Sequence, residues 1–221
     1  MRRLVVLRHG QTDYNLANRA QGHLDVPLNE TGRAQARGVA PVIAAYAPSF
    51  IWSSDLVRAS ETAAIVAEVC GLEVTTDARL REFAVGENRE GLTWPEYAGA
   101  FPHEVALHEA GRGSEVPGWE TPEMVLARSL PALQAAAEAV PEEGTGLVVA
   151  HGAVLRTLVP AFVGVPEVGS ALGAFDNCGF AVLDDTLSGL LPIAGGGGWR
   201  IRAWNRVAQE VATPIGAPHS P

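Results

Sequence analysis

Four short apolar runs punctuate this chain of 221 residues: RLVVL at 3–7, FIWSS at 50–54, GLVVA at 146–150 and FAVLD at 180–184. Such runs, bounded by polar residues, read as buried strands. The stretches between them read as helices, and strands that alternate with helices build a sheet covered on both faces. One helix is predicted over 29–47, opening at Asn29 or Thr31, and another over 55–71, with Asp55 as N-cap and Gly71 as its stop. A third, over 121–140, has Thr121 at the cap, Pro122 in the first helical position and Glu123 in the first turn. A fourth follows GLVVA over 151–164. The fold class expected is α/β, a three-layer α/β/α sandwich with a central, mostly parallel sheet.

Two late extended runs around Gly195–Gly198 predict a hairpin, and residues 212–221 read as a disordered tail. Residues 84–120, rich in Gly, Glu, Trp and His, break the alternation and are expected to form an insertion lying over one end of the sheet. One domain over 1–211 with that lid is the organisation expected.

Composition removes several classes of function. All 16 basic residues are arginine, which excludes a P-loop lysine and a Schiff-base lysine together. A net charge of −9 argues against a nucleic-acid surface, and it obliges any phosphate site to carry its own arginines. Cys70 and Cys178 are too few for a disulfide framework or a zinc site. No apolar run reaches the ~18–20 residues of a membrane span, and the LVVL near the N-terminus is shorter than a signal core and is ended by Arg8. A cytoplasmic protein without a membrane partner is expected.

Ligands of an open α/β sheet bind beyond the carboxyl ends of its strands. Three segments bring polar groups there: Arg8-His9-Gly10 after the first strand, SSDLVRASETA with Arg58 after the second, and His151-Gly152 after GLVVA. A single histidine in such a place is more often structural, and an arginine in a helix's first turn is more often solvated. Arginine is, however, disfavoured by the dipole at a helix N-terminus, so Arg58 there points to an anion close by. Two imidazoles, two guanidiniums and two glycines suit a dianionic phosphate, through guanidinium forks, helix N–H groups and close backbone approach. HEVALHE does not make a zinc helix, because His103 and His108 are five apart and stand about 140° apart around the axis. No G-x-S-x-G occurs, and His23 and His219 receive no role.

In order along the chain, LRHGQTDYN, QGHLDVPLNETGRAQA, SSDLVRASETA, LREFAVGENREGLT and VVAHGAVLR resemble the five motifs of the histidine phosphatase superfamily, in its phosphoglycerate-mutase-like branch. The wording is most similar to that of actinobacterial members. The resemblance implies His9 as the nucleophile that becomes phosphohistidine, with Arg8, Arg58 and His151 holding the phosphoryl oxygens. It implies Asn15 as an amide donor, Glu82 as the general acid and then base, and Thr12, Gln21, Gly22 and Gly152 as pocket residues. No metal or other cofactor is required, and family members are often homodimers.

This sequence departs from the family pattern after the acid. Where relatives commonly read G-x-W-x-G it has GENREG, which puts Asn88 and Arg89 in place of the tryptophan; Trp119 stands where a glycine is common. Arg89 is a candidate for a substrate carboxylate or for solvent. Trp94, Tyr97, Phe101, His103, His108 and Trp119 are further candidate substrate contacts. A phosphatase of a small phosphomonoester, with a sugar-linked phosphoglycerate among the candidates, is the function expected. Two alternatives stay open. One is a mutase-type phosphotransferase, for which the E-R-H-Y-G after the acid is missing; the other is a non-catalytic phosphoester-binding protein.

Overall fold

Strand β1 (Arg2–Arg8) carries the first apolar run, and Leu4 to Leu7 are buried along its whole middle. In the computed structural model, which describes residues 1–166, 171–185 and 198–208, it is a central strand of a six-stranded sheet. The other predicted runs form β2 (Pro48–Ser53), β4 (Thr145–Ala150) and β5 (Phe180–Asp185). Two edge strands, β3 (Val74–Thr76) and β6 (Trp199–Arg206), complete the order β3-β2-β4-β1-β5-β6. β3, β2, β4 and β1 run parallel; β5 and β6 are antiparallel to their neighbours.

Alternation along the strands divides the core in two. Val5, Leu7, Leu147 and Val149 pack against α2 (Glu30–Ala44) and α3 (Val57–Cys70). Leu4, Val6, Val148 and Ala150 pack against α6 (Pro122–Ala139) and α7 (Gly152–Phe162) on the opposite face. Burial on both faces explains why these strands read as unbroken apolar runs rather than alternating ones. Arg2 faces Asp185 at 2.6 Å and Arg3 faces Asp184 at 2.9 Å, each pair directly opposite in the β1–β5 ladder. A slip of one residue would break both pairs and invert both faces, so they fix the register. Among the described residues no helix is long and apolar enough to cross a membrane.

Helix ends follow the predicted caps with one correction. Asn29 caps α2 through the N–H of Gly32, Thr121 caps α6 through the N–H of Met124, and Gly71 ends α3 at φ 68°. Asp55 does not cap α3, which starts at Val57. Its carboxylate is taken by Arg81, whose Nε and Nη2 donate at 2.8 and 2.6 Å. Asp25, from the loop before α2, instead accepts the Val57 N–H at 2.6 Å.

Residues 84–120 contain α4 (Trp94–Ala100) and α5 (Pro102–Glu109), with α1 (Asp13–Leu16) a short turn after β1. The segment is pinched at its base. Val85 bridges Trp119, the Ala84 N–H donates to the Glu120 carboxylate at 2.8 Å, and the Glu120 N–H donates to the Ala84 carbonyl at 2.9 Å. Gly86 and Gly118 cross there at φ 74°, and a Cβ on Gly86 would lie 2.5 Å from the Pro117 carbonyl oxygen, so the crossing demands glycine. Tyr97, Val105 and Val116 are buried inside the segment, with Trp94, Phe101 and Trp119 packed ring to ring around Tyr97.

The later of the two predicted late runs is β6, paired antiparallel to β5. Residues 186–197, with the earlier run and three of the four glycines, and the predicted tail at 212–221 lie outside the described residues.

Candidate active site

Parallel register builds the centre of the site. Arg8 pairs with Ala150 at the carboxyl ends of β1 and β4, so His9 and His151 are the next residues out on adjacent strands. Neighbouring strands lie about 4.8 Å apart, and the two rings stand 5.2 Å centre to centre at 61°. The backbone of His9 is clamped on both sides. Its N–H donates to the Ala150 carbonyl at 3.0 Å, and its carbonyl accepts from the Cys178 N–H at 3.2 Å and from Asn177 Nδ2 at 3.1 Å.

The His9 Nδ1 lies 2.7 Å from the Gly10 carbonyl oxygen. A carbonyl oxygen only accepts, so Nδ1 carries the proton and Nε2 keeps its lone pair. Burial, followed by the charges of Arg58 and Arg8, holds this imidazole well below its ordinary pKa, and it is neutral at neutral pH.

His151 has the opposite tautomer. The Arg58 Nε–H donates to its Nδ1 at 3.2 Å, so Nε2 carries the proton and donates to Ser54 Oγ at 2.8 Å. Burial first, then the Arg58 charge, pushes this ring well below the ordinary range as well. Arg58 itself is fully buried. Its Nη1 donates to the Leu24 carbonyl at 2.8 Å and its Nη2 to the Gly22 carbonyl at 2.9 Å, and burial lowers its pKa to about 10. Arg58 therefore ties His151 to the loop that follows Gln21. Arg8 donates through Nη1 to the Phe175 carbonyl, while its buried Nε has no partner among the described residues. That guanidinium lies over the start of α7, where a Cβ on Gly152 would be 3.1 Å from Nε.

No side chain of its own caps α7, so the N–H groups of its first turn need an external acceptor. Glu82 supplies it. Oε1 accepts from the Val154 N–H at 2.9 Å and Oε2 from the Ala153 N–H at 3.1 Å. The Glu82 carbonyl is held from two directions, by His23 Nε2 at 2.8 Å and by Arg128 Nη2 at 2.9 Å. A carboxyl group is thus fixed one residue beyond the glycine that Arg8 covers.

Thr12, Asn15 and Gln21 form one network. Thr12 donates its hydroxyl to Gln21 Oε1 at 2.9 Å, and Asn15 Oδ1 accepts from the Thr12 N–H at 3.1 Å and from Asn177 Nδ2 at 3.2 Å. With its oxygen so engaged, the Asn15 amide nitrogen stays available as a donor.

Arg89, a candidate for a substrate carboxylate or for solvent, is engaged within the 84–120 segment and does not line the cavity described below. Its guanidinium donates to the Leu92 carbonyl and stands over the rings of Trp94 and Tyr97, at 5.6 and 5.5 Å from their centres. It serves the interior of the 84–120 segment because a planar cation next to two aromatic faces finds a better site there than in water.

A cavity of about 830 Å³ lies beside this centre and is lined by Arg8, Glu82 and Gly152, while His9, Arg58 and His151 are buried and do not line it. The 84–120 segment contributes Val85, His108 and Trp119, and α6 and α7 contribute Glu123 and Arg156. Trp94, Tyr97, Phe101 and His103 do not line it; the first three form the segment's own packing. Among the described residues no group of three or more His, Cys, Asp and Glu side chains has the arrangement of a metal site.

Ser54, His23, Asn177, Arg128 and Arg156 escaped the sequence reading. Ser54 lies inside the SSDLVRASETA stretch and His23 inside QGHLD, so proximity to recognised motifs was a usable signal for both. Asn177 and Arg128 reach the site only through the tertiary fold and leave no local mark.

The sequence profile of the histidine phosphatase superfamily (branch 1) matches residues 4–206. A glucosyl-3-phosphoglycerate phosphatase of Mycobacterium tuberculosis is 37% identical over 219 residues, covering 94% of this chain and 96% of that relative. A probable phosphoglycerate mutase of Proteus mirabilis is 34% identical over 187 residues, covering 83% and 85%. The solved structure of mycobacterial glucosyl-3-phosphoglycerate phosphatase with VO3 superposes at a TM-score of 0.78 with 36% identity, covering 93% of this chain and 99% of that one.

Proposed function

The chain belongs to the histidine phosphatase superfamily, branch 1, and from that premise we propose that it hydrolyses a sugar-linked phosphoglycerate through a phosphohistidine at His9. It is a phosphoric monoester hydrolase of the phosphoglycerate-mutase-like fold. The observation that carries the assignment of His9 is its tautomer: Nδ1 spends its proton on Gly10 and leaves Nε2 as a free nucleophile in a ring kept neutral by burial.

In the first step Nε2 attacks phosphorus, the bond from phosphorus to the ester oxygen breaks, and the departing alkoxide takes a proton from Glu82. In the second, Glu82 takes a proton from water, the water oxygen bonds to phosphorus, and the phosphorus–nitrogen bond breaks to return the lone pair to Nε2. The Nδ1–H bond to the Gly10 carbonyl supports the positive ring in between. The orphaned Nε of Arg8, the Nε2–H of His151 and the Asn15 amide are donors suited to the three equatorial oxygens, and the guanidiniums supply charge that would otherwise fall to a metal. His151 turns its proton from Ser54 to the phosphoryl group when one arrives.

The 84–120 segment acts as the lid that selects the ester. Trp119 and His108, 4.7 Å apart, offer a ring face to a sugar. The relatives named as phosphatases align over nearly all of this chain, whereas the Proteus mirabilis mutase-named relative covers 83% of it, and the hydrolase is the reading adopted.

The test is labelling with 32P-glucosyl-3-phosphoglycerate, quenched in alkaline denaturant. Wild type should form an acid-labile, base-stable phosphoenzyme and release inorganic phosphate, and His9→Ala should do neither. Labelling that persists in His9→Ala would remove His9 from this role.

A further inference from the structure

Arg156 closes the VVAHGAVLR motif, and nothing in the chemistry above employs it. It is exposed on α7, lines the cavity, and has no hydrogen bond, ion pair or ring contact among the described residues. That distinguishes it from the other arginines close by. Arg8 is held by Phe175, Arg58 by three acceptors, Arg89 by Leu92 and two rings, and Arg128 by Glu120 and the backbone.

Its position gives that free cation a direction. Gly152, under the Arg8 guanidinium, and Arg156 are four residues apart and share one face of α7. About 6 Å of axial rise, slightly more than one helical turn, separates them. A phosphoester carbon chain with a carboxylate four covalent bonds from phosphorus spans about 5 Å when extended. A phosphate on Arg8 therefore brings such a carboxylate to the level of Arg156. Guanidinium pairs with carboxylate as a two-pronged fork, whereas a neutral hydroxymethyl group in that place would offer it only one acceptor. Glu120 and Glu123 line the same cavity. Arg128 neutralises Glu120 at 2.7 Å, and Glu123 lies in the first turn of α6, where it suits hydroxyl groups rather than a second anion.

We infer that Arg156 is the residue that reads the substrate's second anion, receiving the glycerate carboxylate while Arg8 takes the phosphate. The inference rests on the hydrolase reading above. It makes the substrate class a phosphomonoester with a carboxylate on the adjacent carbon skeleton, and it places that recognition on α7 rather than in the lid, where Arg89 was one candidate for it.

The experiment compares glucosyl-3-phosphoglycerate with the same molecule methyl-esterified at the glycerate carboxylate, by phosphate release from wild type, Arg156→Gln and Arg156→Lys. Wild type should favour the free acid at least tenfold in kcat/KM. Arg156→Gln should bring that ratio towards one, chiefly through KM, and Arg156→Lys should retain more of it than Arg156→Gln. The ratio is insensitive to a general loss of activity or folding. Equal use of both compounds by wild type, or a ratio unmoved in Arg156→Gln, overturns the inference while leaving the hydrolase reading intact. Turnover of neither compound, with no phosphoenzyme, removes both.

Discussion

The Nε–H of Arg58 donates to Nδ1 of His151 at 3.2 Å, and this bond commits the imidazole to a single tautomer. Because the same guanidinium holds the carbonyls of Gly22 and Leu24, the orientation of the second histidine and the course of the 22–24 loop are one structural fact.

Arg58→Ala should leave two buried carbonyls and one ring nitrogen without donors. Each buried acceptor left without a donor costs about 1–3 kcal/mol. Urea unfolding should show that cost as a lower midpoint, and turnover should fall by two orders of magnitude or more even at temperatures where the variant is fully folded. A variant with wild-type stability would mean that the three contacts are not made in solution.

Both histidines are held well below their ordinary pKa in the folded chain and return to about 6.5 when it unfolds. The unfolded state therefore binds more protons once the pH drops below that value. Stability should be level above about pH 7 and fall as the medium is acidified, with a slope reaching roughly 3 kcal/mol per pH unit from the two rings together. Thermal midpoints between pH 8 and pH 5 measure it. His9→Gln, which removes one of the titrating rings, should flatten the slope.

Glu82→Gln keeps an acceptor for the α7 N–H groups but has no proton to give. Hydrolysis of alkyl phosphates should slow by roughly 10²–10⁴-fold, while p-nitrophenyl phosphate, whose leaving group needs little help, should lose far less. Equal losses for the two ester types would argue against Glu82 as the acid.

His23→Ala removes one of the two donors on the Glu82 carbonyl and touches no reacting atom. It should lower kcat for alkyl phosphates about threefold to tenfold and widen the gap between poor and good leaving groups only slightly. An effect as large as that of Glu82→Gln would assign the histidine a direct role in proton transfer.

At the neck of the 84–120 segment, Gly86→Ala forces a Cβ against the Pro117 carbonyl at a positive φ. Strain of this kind costs about 1–3 kcal/mol. Hydrogen exchange should quicken within 84–120 and not in β1 or β4, and KM for the natural ester should rise more than kcat falls.

The sheet was legible because its central strands are buried on both faces, which turns them into continuous apolar runs. β3 was not, since Val74–Thr76 is a three-residue edge strand whose two threonines are exposed. The cap of α3 was misread because Asp55 has the right chemistry in the right place, and only the tertiary structure shows that Arg81 claims it while Asp25 arrives from a remote loop. The closeness of Arg8, His9, Arg58 and His151 was readable from strand ends, whereas Glu82 was singled out only by the resemblance to the family's motifs. Arg89 stayed open between a substrate carboxylate and solvent for a related reason: sequence shows that a cation is present near the acid but not that it stands over the rings of Trp94 and Tyr97. Arg156 stood in plain view at the end of a recognised motif, and what it lacks, a partner, is visible only in three dimensions.

The 84–120 segment has its own apolar interior around Tyr97, is closed at its neck by the Ala84–Glu120 and Val85–Trp119 pairs, and is tied to the loop after β1 through Arg19, Ala20 and His23, which bond Glu96, Leu92, Gly91 and Glu90. Its lining can consequently change between those ties without touching the strands that set His9 beside His151. A different ester would then ask for changes in the rim, while the two rings beneath keep their geometry.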